Sequence, residues 1–455
     1  MTKDIIKIFS SNLIKMMVTF ITAFLVPMVL SVNSYGYYKV YTFYAAYIGI
    51  LHLGYCDGIY LDYGGKDENS IEKERISTEL ATLFSFSLGL ALVGCVYGLI
   101  RHNFTIICLG LTVVPNIIYT FYSYVYQATG DFKKYTWMLN LSTIMNLVLN
   151  GLLVIFRISD YRLYICVCVI VQFVSFLAGT FFFGQSGWIQ KSKFSKSVFI
   201  RYIQMGSLLM IGNFAYTFFV GIDKWFIKFT LDITAFSMYS FASQMLTVVN
   251  MFITPISMTL YSNLSKKRDH LFEREIKQLL VTLLMLMPIA IYIIIIIIST
   301  FMEKYSSAIN LIALLLITQI FLSLNLAVFV NLYKVYKMQR VYMKTLLSSL
   351  ILAMILDLAV AIVHPNPTMY AGATLISCLV WLTLNFKQFK YMLPGKKECC
   401  YVTGLLILFL IEFILKSNIV RIIIYLFSYL LVTYILMNNE WKKFMSYLSN
   451  IKEKF

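Results

Sequence analysis

Residues 34–65 read SYGYYKVYTFYAAYIGILHLGYCDGIYLDYGG, and the charged run KDENSIEKER follows directly. A Gly-containing turn opens the stretch, one apolar and aromatic run crosses it, and Asp57, Asp62 and a Gly-Gly stop close it. A helix of about 20 residues spans the hydrocarbon of a bilayer, and tyrosines suit both of its interfaces. The stretch predicts one continuous membrane helix over 37–61. Acid inside the inner end of such a helix is uncommon. Gly49, Leu53, Asp57 and Tyr60 fall on one helical face with Gly54 beside them. Small residues mark the side on which another helix approaches closely. A carboxylate on that side faces a bundle interior or a wet cavity, or else is an interface acid paired with a loop lysine.

Working outward, the whole chain has the same character. Of 455 residues, 60% are hydrophobic and only 13% charged, with a mean hydropathy of +0.78. No water-soluble domain needs so much apolar surface. Spans are predicted near 12–32, 37–61, 78–100, 104–127, 136–156, 162–183, 203–222, 234–260, 277–300, 307–330, 345–363, 368–386, 400–416 and 419–437. This is an all-α integral membrane protein of about 14 transmembrane helices. The net charge of +17 sits in short loops. With the N-terminus inside, about 29 of the 38 Lys and Arg fall on the inner side, as the positive-inside rule requires. Both termini are then cytoplasmic, the first helix is retained, and nucleic acid is not the partner.

No loop is long enough for a soluble catalytic domain, and neither a P-loop nor an HExxH pattern is present. The sequence therefore predicts no enzyme, no cofactor and no metal. The eight cysteines mostly lie inside apolar spans and read as small filler. His52, His102, His270 and His364 form no cluster and receive no role.

A faint repeat divides the chain. NSYGYYKVY after the first span aligns with DITAFSMYS after the seventh, and QATGDFKKY and LYKVYKMQRVY occupy matching inner loops. Two pseudo-symmetric six-helix bundles follow, 1–190 and 191–395, with an added helix pair and tail over 396–455.

Candidate site residues are polar groups at membrane depth. Gly206, Asn213, Thr217, Lys224 and Lys228 fall in one stripe of the seventh span, with Asp223 beside it nearer Tyr216. Lipid cannot hydrogen-bond to such groups, so they face protein or water, or snorkel to an interface. Lys15 opens the first span and reads as a phosphate contact or a plain anchor; Lys39 breaks the positive-inside pattern and is a candidate cavity cation. Asp357 and Asp62 are the ion-coupling candidates, and Glu412 is a third intramembrane acid. Pro27, Pro255 and Pro288 interrupt spans, as hinges or as kinks.

Four stretches carry a family likeness: Pro27 followed after eight residues by GYYKVY, then LGYCDGIYLDYGG, GNFAYTFFVGIDKWFIKFTLDITAFSMYS from Gly212, and YQATGDFKKYTWM from Tyr126. They resemble the polysaccharide flippases of the multidrug/oligosaccharidyl-lipid/polysaccharide exporter superfamily, although Asp62 stands where that pattern often has Arg. The resemblance implies two six-helix bundles around a central cavity in a bacterial inner membrane. It implies export of an undecaprenyl-pyrophosphate-linked oligosaccharide, the repeat unit of an O-antigen or capsule, from the inner to the outer leaflet by alternating access. Membrane lipids, a polysaccharide polymerase and a chain-length regulator would be its partners. The rival expectation is an ion-coupled multidrug exporter of the same superfamily, whose cavity would favour acids over Lys39, Lys224 and Lys228.

Overall fold

A computed structural model describes residues 2–266, 269–412 and 418–438. Most of these residues are helical, and no strand occurs among them. Eleven of the described helices are long and apolar enough to cross a membrane. The three remaining predicted spans are also helical: the second, which is broken, the eighth, α9 (Ile233–Lys266), and the thirteenth, α16 (Lys396–Glu412). The chain is a multi-pass, all-helical membrane protein.

The structure divides into two compact units, Met1–Thr217 and Phe218–Phe455. The first holds α1 (Thr2–Val29), α2 (Val32–Ala45), α3 (Tyr55–Tyr63), α4 (Lys73–Ile100), α5 (Phe104–Thr129), α6 (Phe132–Ile155), α7 (Tyr161–Gln185) and the first part of α8 (Lys196–Thr230). Their starts are encoded locally. Ser31, Asn103, Asp131 and Asp160 each accept a backbone N–H of the turn they open, satisfying donors that the helix itself leaves free. α5 is the hub: Val113, Ile117, Ile118, Phe121 and Val125 are buried in the main apolar cluster. α4 can lie against it because both surfaces are glycine there. A Cβ on Gly98 would sit 2.7 Å from the Ile107 nitrogen, and one on Gly110 would sit 2.7 Å from that of Cys95.

The predicted continuous helix over 37–61 is not formed. The last i→i+4 bond of α2 runs from the Ala46 N–H to the Thr42 carbonyl, and the ladder resumes at Gly58 N–H to Gly54 carbonyl. Between them lie a 3-10 turn, Ile48–His52, and two left-handed residues, Leu53 (φ 55°) and Gly54 (φ 86°). The Gly54 N–H is donated to His52 Nδ1 at 3.0 Å, a local side-chain bond that competes with the helix. Hydropathy does not register such a competition.

The second unit holds the rest of α8, then α9, α10 (His270–Leu284), α11 (Met287–Phe301), α12 (Ile309–Leu324), α13 (Val330–Val335), α14 (Gln339–Val363), α15 (Pro367–Gln388), α16 and α17 (Asn418–Leu436). α12, INLIALLLITQIFLSL, is apolar on nearly every side and is buried accordingly. It passes into α13 through a π turn, Asn325–Phe329, where Asn325 accepts from Asn385 at 2.9 Å. Pro27 lies within α1, and Pro288 starts α11, where its missing N–H costs nothing. The Pro255 side chain lies outside the described residues. All eight cysteines are free thiols.

Candidate functional site

Two cavities lie inside the first unit, of about 390 Å³ and 380 Å³, with Lys15, Tyr119 and Leu139 in the walls of both. The first is built on the break in the second span. Because α3 starts at Tyr55, Asp57 lies in its first turn, where the helix N-terminus favours a carboxylate. Asp57 is buried and lines this cavity together with Lys15 from α1, Tyr124 from α5 and Asn213 and Thr217 from α8. His52 lines it too. Its Nδ1 accepts from Gly54, so Nε2 carries the proton, 3.8 Å from Asp57 Oδ2. That separation exceeds a hydrogen bond. Sequence reading gave His52 no role; the available signal was a polar side chain two residues before a glycine at membrane depth.

The second cavity is walled by α1, α2, α5, α6 and α7 and is lined mostly by hydroxyl and amide side chains. Among its lining residues only Lys15 is charged. Asn116, Asn146 and Gln172 of this wall were not singled out in the sequence.

The other candidates stand elsewhere. Lys39 lies over the rings of Tyr35 and Tyr38, at 5.2 and 5.7 Å, and Tyr216 is half-buried; neither lines the two cavities. Asp62 belongs to an ionic knot: it pairs with Lys66 (3.1 Å) and with Arg75, and accepts from Tyr202 at 2.8 Å. Arg75 also reaches buried Glu79 at 3.0 Å, which Tyr63 donates to at 2.6 Å. Tyr202 is 2.8 Å from Asp62 Oδ2 and 2.5 Å from Glu79 Oε1, and its single proton serves one of them at a time.

Burial opposes ionisation of Asp62, but the bonds from Tyr202 and Lys66 and the Arg75 charge outweigh it and hold the carboxyl below its usual range. A depressed carboxylate contributes stability above its unfolded value of about 3.9 and loses it as pH falls through the folded one. Tyr202→Phe is expected to cost about 1–3 kcal/mol by leaving these acceptors short of a donor. It should lower the thermal midpoint of the purified protein at neutral pH and shrink its further fall on acidification. An unchanged midpoint would remove Tyr202 from the knot.

In the second unit, Asp223 is buried and accepts from the Tyr239 hydroxyl, the Thr374 hydroxyl (3.1 Å) and the Lys224 N–H (2.6 Å). Lys224 and Lys228 are half-buried on the following turns of α8. Asp357 on α14 is 1% exposed, and neither of its oxygens has a partner among the described residues. It lies within electrostatic reach of Asp223. Glu412 accepts from Tyr292 at 3.2 Å.

Residues 76–267 match the family model described as polysaccharide biosynthesis protein. No curated protein matches the sequence. Among solved structures the fold is similar to a lipid II flippase MurJ in an inward closed conformation, at 14% identity and TM-score 0.69, over 96% of this chain and 99% of that one. It is also similar to an inward-facing multidrug resistance MATE family transporter of the MOP superfamily, at 11% identity and TM-score 0.53, over 83% and 98%. At such identities the likeness carries fold alone. These likenesses show a fold shared with those two proteins, and residues 76–267 carry the sequence pattern described as polysaccharide biosynthesis protein.

Proposed function

We propose that this protein is a flippase that carries an undecaprenyl-pyrophosphate-linked oligosaccharide repeat unit from the inner to the outer leaflet of a bacterial cytoplasmic membrane, for surface polysaccharide synthesis. The observation that carries the reading is the pair of polar cavities meeting at Lys15 within membrane-spanning helices, in a chain with the polysaccharide biosynthesis pattern. A glycan headgroup needs such a hydrated, donor- and acceptor-rich interior, while its polyprenyl tail stays in lipid. The two halves work by alternating access, the N- and C-termini face the cytoplasm, and the polymerase and chain-length regulator act on the product outside.

Driving force comes from an ion gradient or the membrane potential. Asp357 supports that reading better than Asp62, because its carboxyl is buried with no hydrogen-bond partner among the described residues, whereas Asp62 is committed to basic side chains. The test is translocation of a fluorescent undecaprenyl-pyrophosphate glycan in proteoliposomes. Wild type should move it under a gradient, and Asp357→Asn should lower the gradient-driven rate about 5–150-fold, the span of ordinary coupling free energies. Movement no faster than in empty vesicles overturns the flippase reading.

An ion-coupled multidrug exporter is the second reading. Asp57 in the cavity wall favours it, since cationic drugs need an acid, and a MATE transporter shares the fold. Ethidium efflux by the same proteoliposomes, without glycolipid movement, would establish it.

A further inference from the structure

In the second unit, α10, the start of α16 and the end of α17 enclose a further cavity, of about 250 Å³. α10 supplies Arg274 and Gln278, and the first turn of α16 supplies Lys396, Lys397 and Glu398. Leu436 and Met437 close it where α17 ends. The transport cycle proposed above makes no use of this cavity. In the sequence its cations read only as groups that orient the chain.

The charges in its wall do not cancel. Glu398 is the one carboxylate among the lining residues, and both of its oxygens are taken by the buried Lys277 ammonium, at 2.8 and 2.9 Å. Arg274, Lys396 and Lys397 make no ion pair or side-chain hydrogen bond among the described residues. Arg274 also lies within electrostatic reach of Lys277. Arg and Lys side chains donate and cannot accept. The first i→i+4 bond of α16 runs from the Cys399 N–H to the Gly395 carbonyl at 3.0 Å, so the N–H groups ahead of it add donors from residues of the same wall. A cation that only orients a chain needs no cavity. Three that converge on one cavity repel one another, and a shared anion relieves them.

The occupant must therefore be an anion that accepts from several sides. A phosphodiester brings one negative charge and two unesterified oxygens, and an Arg fork with Lys point charges suits it. The surroundings specify what the phosphate is attached to. α16 turns Ile407, Leu410 and Ile411 outward, and α17 turns Leu431, Tyr434 and Ile435 outward, the last of them next to Leu436 of the cavity wall. On a membrane-spanning helix such exposed apolar side chains meet acyl chains. Basic pockets between membrane helices are where acidic lipid headgroups lodge. We propose that this cavity holds the phosphate headgroup of an acidic glycerophospholipid whose acyl chains run along α16 and α17. The leaflet is the inner one in the orientation proposed above. The lipid is a resident partner of the second unit, not cargo.

Full-length protein is placed in phosphatidylcholine nanodiscs with a trace of phosphatidylglycerol that carries a photoactivatable diazirine beside its headgroup, and in parallel with the matching phosphatidylcholine probe. After irradiation, adducts on α16 and α17 are quantified by peptide mass spectrometry. A trace probe labels in proportion to its affinity, and phosphatidylglycerol should label this pair well above phosphatidylcholine. Each cation removed should weaken its retention about fivefold, so Arg274→Gln with Lys396→Gln and Lys397→Gln should lower the labelling about 100-fold or to the phosphatidylcholine level. Lys191→Gln with Lys193→Gln and Lys196→Gln, the same charge change on exposed lysines of the first unit, should leave it unchanged. Equal labelling by the two lipids, unchanged labelling in the pocket variant, or equal loss in both triple variants overturns the site. Displacement of the label by millimolar inorganic phosphate marks a soluble-anion site and overturns the phospholipid assignment. The assay contains neither glycolipid nor ion gradient, so the flippase reading can fail while the lipid site stands, and the lipid site can fail while the flippase stands.

Discussion

Gly206→Val is expected to give protein that fails to accumulate as a monodisperse species, or that unfolds far below wild type. The reason is a seam where α3 and α8 touch main chain to main chain. A Cβ on Gly206 would be built into the Gly54 carbonyl oxygen and the Gly58 nitrogen. A Cβ on Gly54 would lie 2.9 Å from the Gly206 carbonyl carbon, and Gly54 also holds a left-handed φ of 86°. One on Gly58 would run into the Tyr202 carbonyl oxygen. Overpacking ordinarily costs about 1–3 kcal/mol because side chains give way. Here the obstacle on both faces is backbone, so α8 must lift as a body. Lifting it also withdraws Tyr202 from Asp62 and Glu79, so two losses come together. Gly206→Ala should show the same defect in milder form, and Met205→Ala, at an exposed neighbour, should behave as wild type. Fluorescence-detected size exclusion with a heating series measures all three. A Gly206→Val protein with the wild-type midpoint would mean that the seam is not there.

The second large effect is expected at Glu398. Lys277 is fully buried, and its ammonium donates to the Met392 carbonyl (2.8 Å) and to both Glu398 oxygens (2.8 and 2.9 Å). Removing the acid alone strands a cation where water cannot reach it. Breaking a buried pair in this way costs ~3–5 kcal/mol. Glu398→Ala should therefore destabilise strongly, and Glu398→Gln less, because an acceptor remains. Lys277→Met combined with Glu398→Leu should recover much of the loss, since the double change removes the stranded charge. Thermal midpoints of wild type, Lys277→Met, Glu398→Leu and the double variant form the cycle. Additive losses would show that the two residues do not depend on each other.

The membrane-spanning helices were legible because about 20 apolar residues in a row have few other uses. Each predicted span, as far as it is described, is a helix or a broken pair of helices, including the 277–300 segment, which divides into α10 and α11 just ahead of Pro288. The break in the second span was not legible. It depends on the backbone angle of Leu53 and on His52 capturing one N–H, and neither changes the hydropathy of the run. Gly49 on the predicted face of Asp57 meets no neighbour, but Gly54 beside it was legible as a point of helix contact. Its partner was not, since Gly206 lies about 150 residues away in sequence. Lys15, Asp57, Asn213 and Thr217 stand out in the sequence as charged or polar groups within or next to apolar spans, and one cavity wall unites them. Asn116, Asn146 and Gln172 are single amides on three helices, and only the fold makes them a set. The stripe from Gly206 to Lys228 looked like one surface, yet the boundary between the two compact units falls within it, after Thr217.

The interrupted second span also has an electrical meaning. Where a helix opens beside a polar cavity, water enters the low-permittivity slab, and the insulating layer that remains is thinner than the bilayer. The resting voltage then falls across a shorter distance. Each elementary charge that crosses that layer still exchanges about 2.3 kcal/mol per 100 mV, but over a steeper gradient. With water in the cavity beside it, a charged group moved a short way past Ile48–Gly54 would cross a larger share of the transmembrane voltage than it would along an unbroken helix.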